Sequence, residues 1–216
     1  MRCCKTAVFT SKVQDLNESS IVMISLQPRF IFVKVPKTAG TSMARALKSD
    51  HVIKPPEDIR KPHISILEIR DGMKDIRIED FFKFGFVRNP WDRVVSLYNR
   101  TEGRQMRDKM TFDEFVAWIQ NNSDTSIFTS RHKHQLDWFS DENGEVLVDF
   151  IGKFEHLERD WKYVCEQLGI SIDLPHIRKN AQNTQHYTEY YSDKTKAIIE
   201  QKFRLDIEYF GYSFCE

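Results

Sequence analysis

Two short apolar runs constrain what this chain can become. Arg29-Phe30-Ile31-Phe32-Val33-Lys34-Val35 and Phe82-Lys83-Phe84-Gly85-Phe86-Val87 are rich in aromatic and β-branched residues. Neither alternates apolar with polar positions, so each reads as a strand buried on both faces. Such a strand needs cover on both sides, which helices supply. Each run also stops in a polar loop that opens a helix. After Val35 comes Pro36-Lys37-Thr38-Ala39-Gly40-Thr41-Ser42, and then a helix over 43–48 with Thr41 or Ser42 as its N-cap. After Val87 comes Arg88-Asn89, and then a helix opened by Pro90, whose missing N–H has no helical partner to lose. Strand, loop and helix written twice predict an α/β fold with a mainly parallel central sheet flanked by helices. In such sheets ligands bind at the carboxyl ends of strands, beside helix N-termini.

The rest of the chain fills in around these units. Ile64 to Ile69 reads as a short helix stopping near Gly72. Thr111-Phe112-Asp113-Glu114 is a capping box ahead of a helix over 115–120. Asn143-Gly144 is a turn before a third strand over 146–151. Glu158 to Leu168 is an amphipathic helix ended by Gly169, and Ser192 to Tyr209 reads as a closing helix. No Gly/Ser-rich or Pro-rich linker divides the sequence. One domain is expected over 23–216, preceded by a polar arm over 1–22, with Met23 as an alternative start.

Composition narrows the function classes. The 216 residues carry 32 Lys+Arg against 32 Asp+Glu, a formal net charge of zero. That balance argues against nucleic-acid coating, which depends on an excess of cations over phosphates. It leaves room for a local cationic pocket. The 4 cysteines are scattered, with no C-x-x-C pair, so neither a disulfide framework nor a structural zinc site is expected, and no metal site. No apolar run approaches the roughly 20 residues of a membrane helix. The N-terminal stretch lacks the apolar core of a signal peptide. A reducing, cytoplasmic setting is expected.

Two loops carry chemistry. Lys37, Thr38, Ala39, Gly40, Thr41 and Ser42 place a cation, three hydroxyls and a glycine where a strand gives way to a helix N-terminus. Helix-terminal amides, charge and hydroxyls together make a phosphate-type anion cradle. It is not the Walker A order, which sets the lysine after the second glycine. The plainer alternative is a capped strand–helix turn with an exposed lysine. In the second loop, Arg88 ends a strand and Ser96 lies two helical turns on, so both can face one side. An arginine fork with a hydroxyl suits a phosphate monoester. Alternatively, Arg88 pairs with Asp92 to fix the turn.

Val35-Pro36-Lys37-Thr38-Ala39-Gly40-Thr41-Ser42 resembles the 5′-phosphosulfate loop of sulfotransferases that use 3′-phosphoadenosine 5′-phosphosulfate (PAPS). The likeness is to the carbohydrate branch and its bacterial-type family 2 relatives. Arg88-Asn89-Pro90-Trp91-Asp92-Arg93-Val94-Val95-Ser96-Leu97-Tyr98 is similar to that family's 3′-phosphate motif. The resemblance spans about residues 29–214 and implies a P-loop-like sheet. It implies that Lys37 to Ser42 hold the phosphosulfate, with Lys37 also catalytic, and that Arg88 and Ser96 hold the 3′-phosphate. Arg178 and Lys179, in a loop after the helix ending near Gly169, would close over the nucleotide; an exposed basic pair is the alternative. Arg93 supports the helix or loop.

His63, ahead of Glu68-Ile69-Arg70, matches the family's base histidine, and a neutral imidazole suits that task. His51, Glu57 and Asp58 compete for the role. His132 and His134 read as solvated or acceptor-facing, and His156 as structural. Tyr187, Tyr190 and Tyr191 either stack on adenine, line the acceptor cleft or pack in the core. The implied reaction is sulfuryl transfer from PAPS to a hydroxyl of a carbohydrate or glycolipid, leaving 3′,5′-adenosine bisphosphate. A nucleotide kinase or NTPase with a degenerate P-loop, and a catalytically silent nucleotide-binding protein, are the alternatives. No nucleic-acid partner and no integral membrane segment are expected. Lys34 departs from the histidine common in bacterial relatives. The acceptor would be chosen by loops at 49–62, 101–112 and 123–145, with Arg100, Arg104, Arg107 and Lys109 as a basic stretch.

Overall fold

The sheet begins with an antiparallel hairpin that carries little signal of its own. In the computed structural model, which describes residues 23–53, 55–56, 63–99, 109–122, 125, 127–129, 131–174 and 185–215, the chain enters at Met23–Leu26 (β1) and returns as Arg29–Val33 (β2). Met23 stands opposite Phe32 and Leu26 opposite Arg29. Helix Gly40–Ala46 (α1) follows, and Val52–Ile53 (β3) adds an antiparallel edge to β1. Next come Ile66–Gly72 (α2), Phe82–Val87 (β4), Pro90–Tyr98 (α3) and Phe112–Asn121 (α4). Phe150–Lys153 (β5), Leu157–Leu168 (α5), Asp193–Lys202 (α6) and Arg204–Phe210 (α7) complete the order. The five strands lie in the order β3-β1-β2-β4-β5. β2, β4 and β5 run parallel, Val33 beside Gly85 and Val87 beside Lys153. The expected parallel sheet is thus the half that carries the loops, with an antiparallel edge added.

Both apolar runs are buried on both faces, as their composition requires. Phe30, Phe32, Phe84 and Phe86 face Met43 of α1, its C-cap Leu47, and Leu157, Trp161, Val164 and Leu168 of α5. Ile31, Val33 and Val87 point the other way, with Ile66 and Ile69 of α2, Trp138 and Phe139. Each such side chain contributes about 1.5–3 kcal/mol on burial. A separate core joins α3, α4 and α6 through Val94, Leu97, Phe115, Val116, Ile119 and Ile199.

Local signals set several boundaries. Thr111 and Glu114 exchange capping bonds at the start of α4, and Gly169 ends α5 in the left-handed region at φ 63°. Three expectations need correction. The strand expected over 146–151 is Phe150–Lys153; Val146 only bridges Ser140, and Val146 to Val148 are apolar because they pack against the Trp138 side of the core. The Asp149 carboxylate accepts from the Lys83 N–H at 2.7 Å and from Lys83 Nζ at 2.8 Å, so pairing starts just after it. The closing helix is two helices, α6 and α7, meeting at buried Phe203, whose φ −112° and ψ 27° break the ladder. The cap expected at Thr41 or Ser42 is Ala39, and α1 starts earlier. The polar arm over 1–22 lies outside the described residues.

Candidate active site

The loop after β2 is held in an unusual backbone shape. Lys37 and Ala39 sit at φ 71° and 64°, in the left-handed region. For residues with a side chain this costs about 1–2 kcal/mol each, and it persists only where the surroundings enforce it. Two arginines, Arg88 just past β4 and Arg93 in α3, supply that enforcement. Arg93 Nε donates to the Pro36 carbonyl at 3.0 Å, and Arg88 Nη1 donates to the Lys37 carbonyl at 3.3 Å.

The side chains of this loop divide into braces and candidates for contact. Thr38 is fully buried, and its hydroxyl donates to the Val35 carbonyl at 3.0 Å, so it braces the loop from within rather than offering itself to an anion. Ala39 caps α1 with no side-chain bond, while Thr41 and Ser42 sit half-buried inside the first turn. Their hydroxyls make no hydrogen bond among the described residues. Lys37 is half-buried beside them. Gly40 is glycine for a steric reason: a Cβ there would lie 2.6 Å from Lys34 Cγ. Lys34 neither faces solvent nor lines a surface; it is 5% exposed and runs beneath the loop.

At the end of β4, Arg88 makes the pairing with Asp92 that fixes the turn. Its Nε pairs with Asp92 at 2.7 Å, and the guanidinium lies 4.0 Å over the Phe154 ring, with the side chain 15% exposed. The fork is thus fixed in direction while touching the first loop. Ser96 lies half-buried along α3, its hydroxyl without a hydrogen bond among the described residues. Arg93 is the support expected of it. It is fully buried, donates also to the Ile127 carbonyl, and burial pulls its guanidinium down to about 10 against the counter-pull of Asp206.

Asn89 caps α3 by accepting from the Trp91 N–H at 3.1 Å and donates to the Ser213 carbonyl at 2.8 Å. Its own N–H donates to Glu155 at 2.7 Å, just past β5. The Tyr212 hydroxyl donates to the other Glu155 oxygen at 3.3 Å. Burial raises the Glu155 carboxyl above its ordinary range. Phe154 and Glu155 were not legible as site residues, since nothing local marks them. The ends of all three parallel strands therefore converge on one place.

His63 reaches the chain just past β2. Its Nδ1 lies 2.7 Å from the Lys34 carbonyl. A carbonyl only accepts, so the ring proton is assigned to Nδ1 and the lone pair to Nε2. The ring stands edge-on to Trp138 at 6.0 Å. His51 is exposed beside the edge strand β3, so geometry separates it from this cluster. Glu57, Asp58, Arg178 and Lys179, with Arg100, Arg104 and Arg107, lie outside the described residues.

His132 is not solvated: it is 7% exposed, stacked 4.3 Å from Trp138, with Nε2 3.8 Å from Glu68. His134 is half-buried, and His156 is exposed at the start of α5. The tyrosines pack in the core. Tyr191 donates to the Trp91 carbonyl at 2.8 Å, and burial raises its phenol well above the usual value. Tyr187 donates to the Phe214 carbonyl, and Tyr190 accepts from Asn99 at 3.2 Å. Among the described residues no group of three or more His, Cys, Asp or Glu stands together to hold a metal, and no helix is long and apolar enough to cross a membrane.

Comparison with known proteins gives this geometry a family. Carbohydrate sulfotransferase 14 of Mus musculus is 24% identical over 88% of this chain and 60% of its own length. Carbohydrate sulfotransferase 10 of Xenopus laevis is 20% identical over 88% of this chain and 67% of its own. An uncharacterized protein of Archaeoglobus fulgidus is 30% identical over 55% of this chain and 92% of its own. The chain thus spans about three fifths of the length of the mouse relative. No solved structure matches it significantly. A sequence model described as the sulfotransferase family matches residues 21–213, which takes in both loops and every strand described above, and the chain belongs to that family.

Proposed function

We propose that this chain transfers a sulfuryl group from PAPS to a hydroxyl of a carbohydrate or glycolipid acceptor. The observation that carries the reading is the meeting of the two loops. Arg88, at the end of β4, holds the carbonyl of Lys37, in the loop after β2, so that the arginine fork and the lysine-bearing loop meet. That donor set suits a ligand with phosphate at two positions. Lys37, with the hydroxyls of Thr41 and Ser42, would take the 5′ end. Arg88 and Ser96 would take the 3′-phosphate, and Arg178 and Lys179 would close over it. The names of the carbohydrate sulfotransferase relatives support a glycan acceptor.

When bound, the phosphosulfate supplies the sulfuryl group and a phosphate oxygen as leaving group. The chain supplies positioning and charge. His63, with its proton on Nδ1, presents Nε2 to take the acceptor hydroxyl's proton. Lys37 and the loop amides stabilise the charge that grows on the departing oxygen. The Lys34 carbonyl then stabilises the imidazolium, because it still accepts from Nδ1–H.

A calorimetric titration tests the reading. 3′,5′-adenosine bisphosphate and ATP with Mg²⁺ are titrated into wild type and Arg88→Ala. Micromolar bisphosphate binding that Arg88→Ala loses, with ATP far weaker, is the expected result. ATP binding in its place would favour a kinase or NTPase. Bisphosphate binding with no turnover on any acceptor would favour a silent nucleotide-binding protein.

A further inference from the structure

Arg88 stands just beyond the last ladder pair of β4 and β5, Val87 with Lys153. Its main chain is nevertheless paired, and by a side chain. The Arg88 N–H donates to Gln135 Oε1 at 2.9 Å, and Gln135 Nε2 donates to the Arg88 carbonyl at 2.8 Å. A carboxamide carries one acceptor and a donor in the geometry of a peptide group. Gln135 therefore acts as a one-residue strand, extending the sheet to the residue that bears the guanidinium.

Gln135 is itself fixed. It is fully buried, and its N–H donates to both Asp206 oxygens at 2.7 and 2.9 Å. The Leu136 N–H donates to the same carboxylate at 3.2 Å. Asp206 is fully buried in α7 and comes from a different part of the fold. A rigid path thus runs from Asp206 through Gln135 to the Arg88 backbone. On the side-chain end, Asp92 and Phe154 set the direction of the fork. With backbone and guanidinium both clamped, the Arg88 fork has little freedom left to lose on binding, which favours a planar two-point contact.

We infer that Gln135, anchored by Asp206, is a positioning residue for the Arg88 guanidinium, and that it sets the preference for a 3′-phosphorylated nucleotide without touching the ligand. The inference rests on the proposed role of Arg88 as the 3′-phosphate contact. A purely structural residue would change stability and weaken all nucleotides alike. A positioning residue would change one phosphate's contribution.

The test is calorimetric titration of 3′,5′-adenosine bisphosphate and of 5′-AMP into wild type, Gln135→Met, Gln135→Glu and Arg88→Ala. Circular dichroism and melting temperature identify the folded variants. Gln135→Met keeps the length and removes both bonds. Gln135→Glu keeps the acceptor and sets a carboxylate against the Arg88 carbonyl, so it serves if the methionine variant does not fold. The expected result is bisphosphate affinity lowered about tenfold or more, as for a lost charge-assisted contact, with 5′-AMP affinity unchanged. Wild-type bisphosphate affinity in a folded Gln135 variant, or equal loss for both nucleotides, overturns the inference while Arg88→Ala still loses the bisphosphate. If Arg88→Ala binds the bisphosphate as wild type does, the proposed role of Arg88 falls, and this inference with it.

Discussion

Arg88 and Lys37 are 51 positions apart in sequence and meet at 3.3 Å, guanidinium Nη1 to main-chain carbonyl. The same guanidinium pairs with Asp92 and covers the Phe154 ring. A planar fork does all three at once, and a lysine ammonium does not. Arg88→Lys is therefore expected to weaken bisphosphate binding by about ten- to a hundredfold, close to the effect of Arg88→Ala. Calorimetry measures it. Wild-type affinity in the lysine variant would mean that charge alone suffices.

His63 separates chemistry from binding. Its replacement by alanine should lower kcat by about 10²- to 10⁴-fold, the usual contribution of a general base. Affinity for 3′,5′-adenosine bisphosphate should stay at the wild-type level. Steady-state transfer to a sulfatable glycan and a parallel titration give the two numbers. A loss of nucleotide affinity equal to the loss of rate would make His63 a ligand instead.

Gly40 and Lys34 form a steric pair. Gly40→Ala brings a methyl group within 2.6 Å of Lys34 Cγ. Overpacking of this kind costs about 1–3 kcal/mol. Shortening the lower partner should relieve it, so Gly40→Ala with Lys34→Ala should be more stable than the two single losses add up to. Urea unfolding of the four proteins measures the coupling. Strict additivity would place the clash elsewhere.

Glu155 sets a pH dependence. Its folded-state pKa lies above the ordinary glutamate range because of burial, so the native state holds that proton more tightly than the unfolded chain does. Its contribution to stability is present below the unfolded pKa and is lost as pH rises through the folded one. Wild-type stability minus that of Glu155→Gln should fall over that window and stay flat above it. Urea midpoints across the mildly acidic range give the difference. A flat difference throughout would mean that the carboxyl titrates normally.

The sequence revealed elements wherever the signal was local. Phe82–Val87 was readable residue by residue because burial on both faces leaves an unbroken apolar run. Pro90 and Thr111 marked helix starts because proline and capping side chains act on their immediate neighbours. The hairpin strand Met23–Leu26 was missed because its four residues derive meaning only from Arg29–Val33 and Val52–Ile53 beside them. Val146, Leu147 and Val148 suggested a strand early because apolarity reports burial, and irregular chain is also buried there.

The site divides in the same way. Lys37 and Arg88 were legible by place, since each follows a buried strand, and Ser96 by its spacing along α3. Thr38 misled because a threonine next to a lysine looks identical whether its hydroxyl faces a ligand or the Val35 carbonyl. Gln135 carried no signal at all. A glutamine among Lys133 and His134 reads as exposed, and only its bonds to Arg88, 47 positions away, reveal it.

The bond from Asn89 to the Ser213 carbonyl spans 124 positions. Synthesis is vectorial, so the loop bearing Arg88 leaves the ribosome long before the segment that braces it. Throughout that interval a nascent chain has its apolar strands but a strand-end loop that lacks this brace. The brace on this loop therefore waits on a partner made 124 positions later.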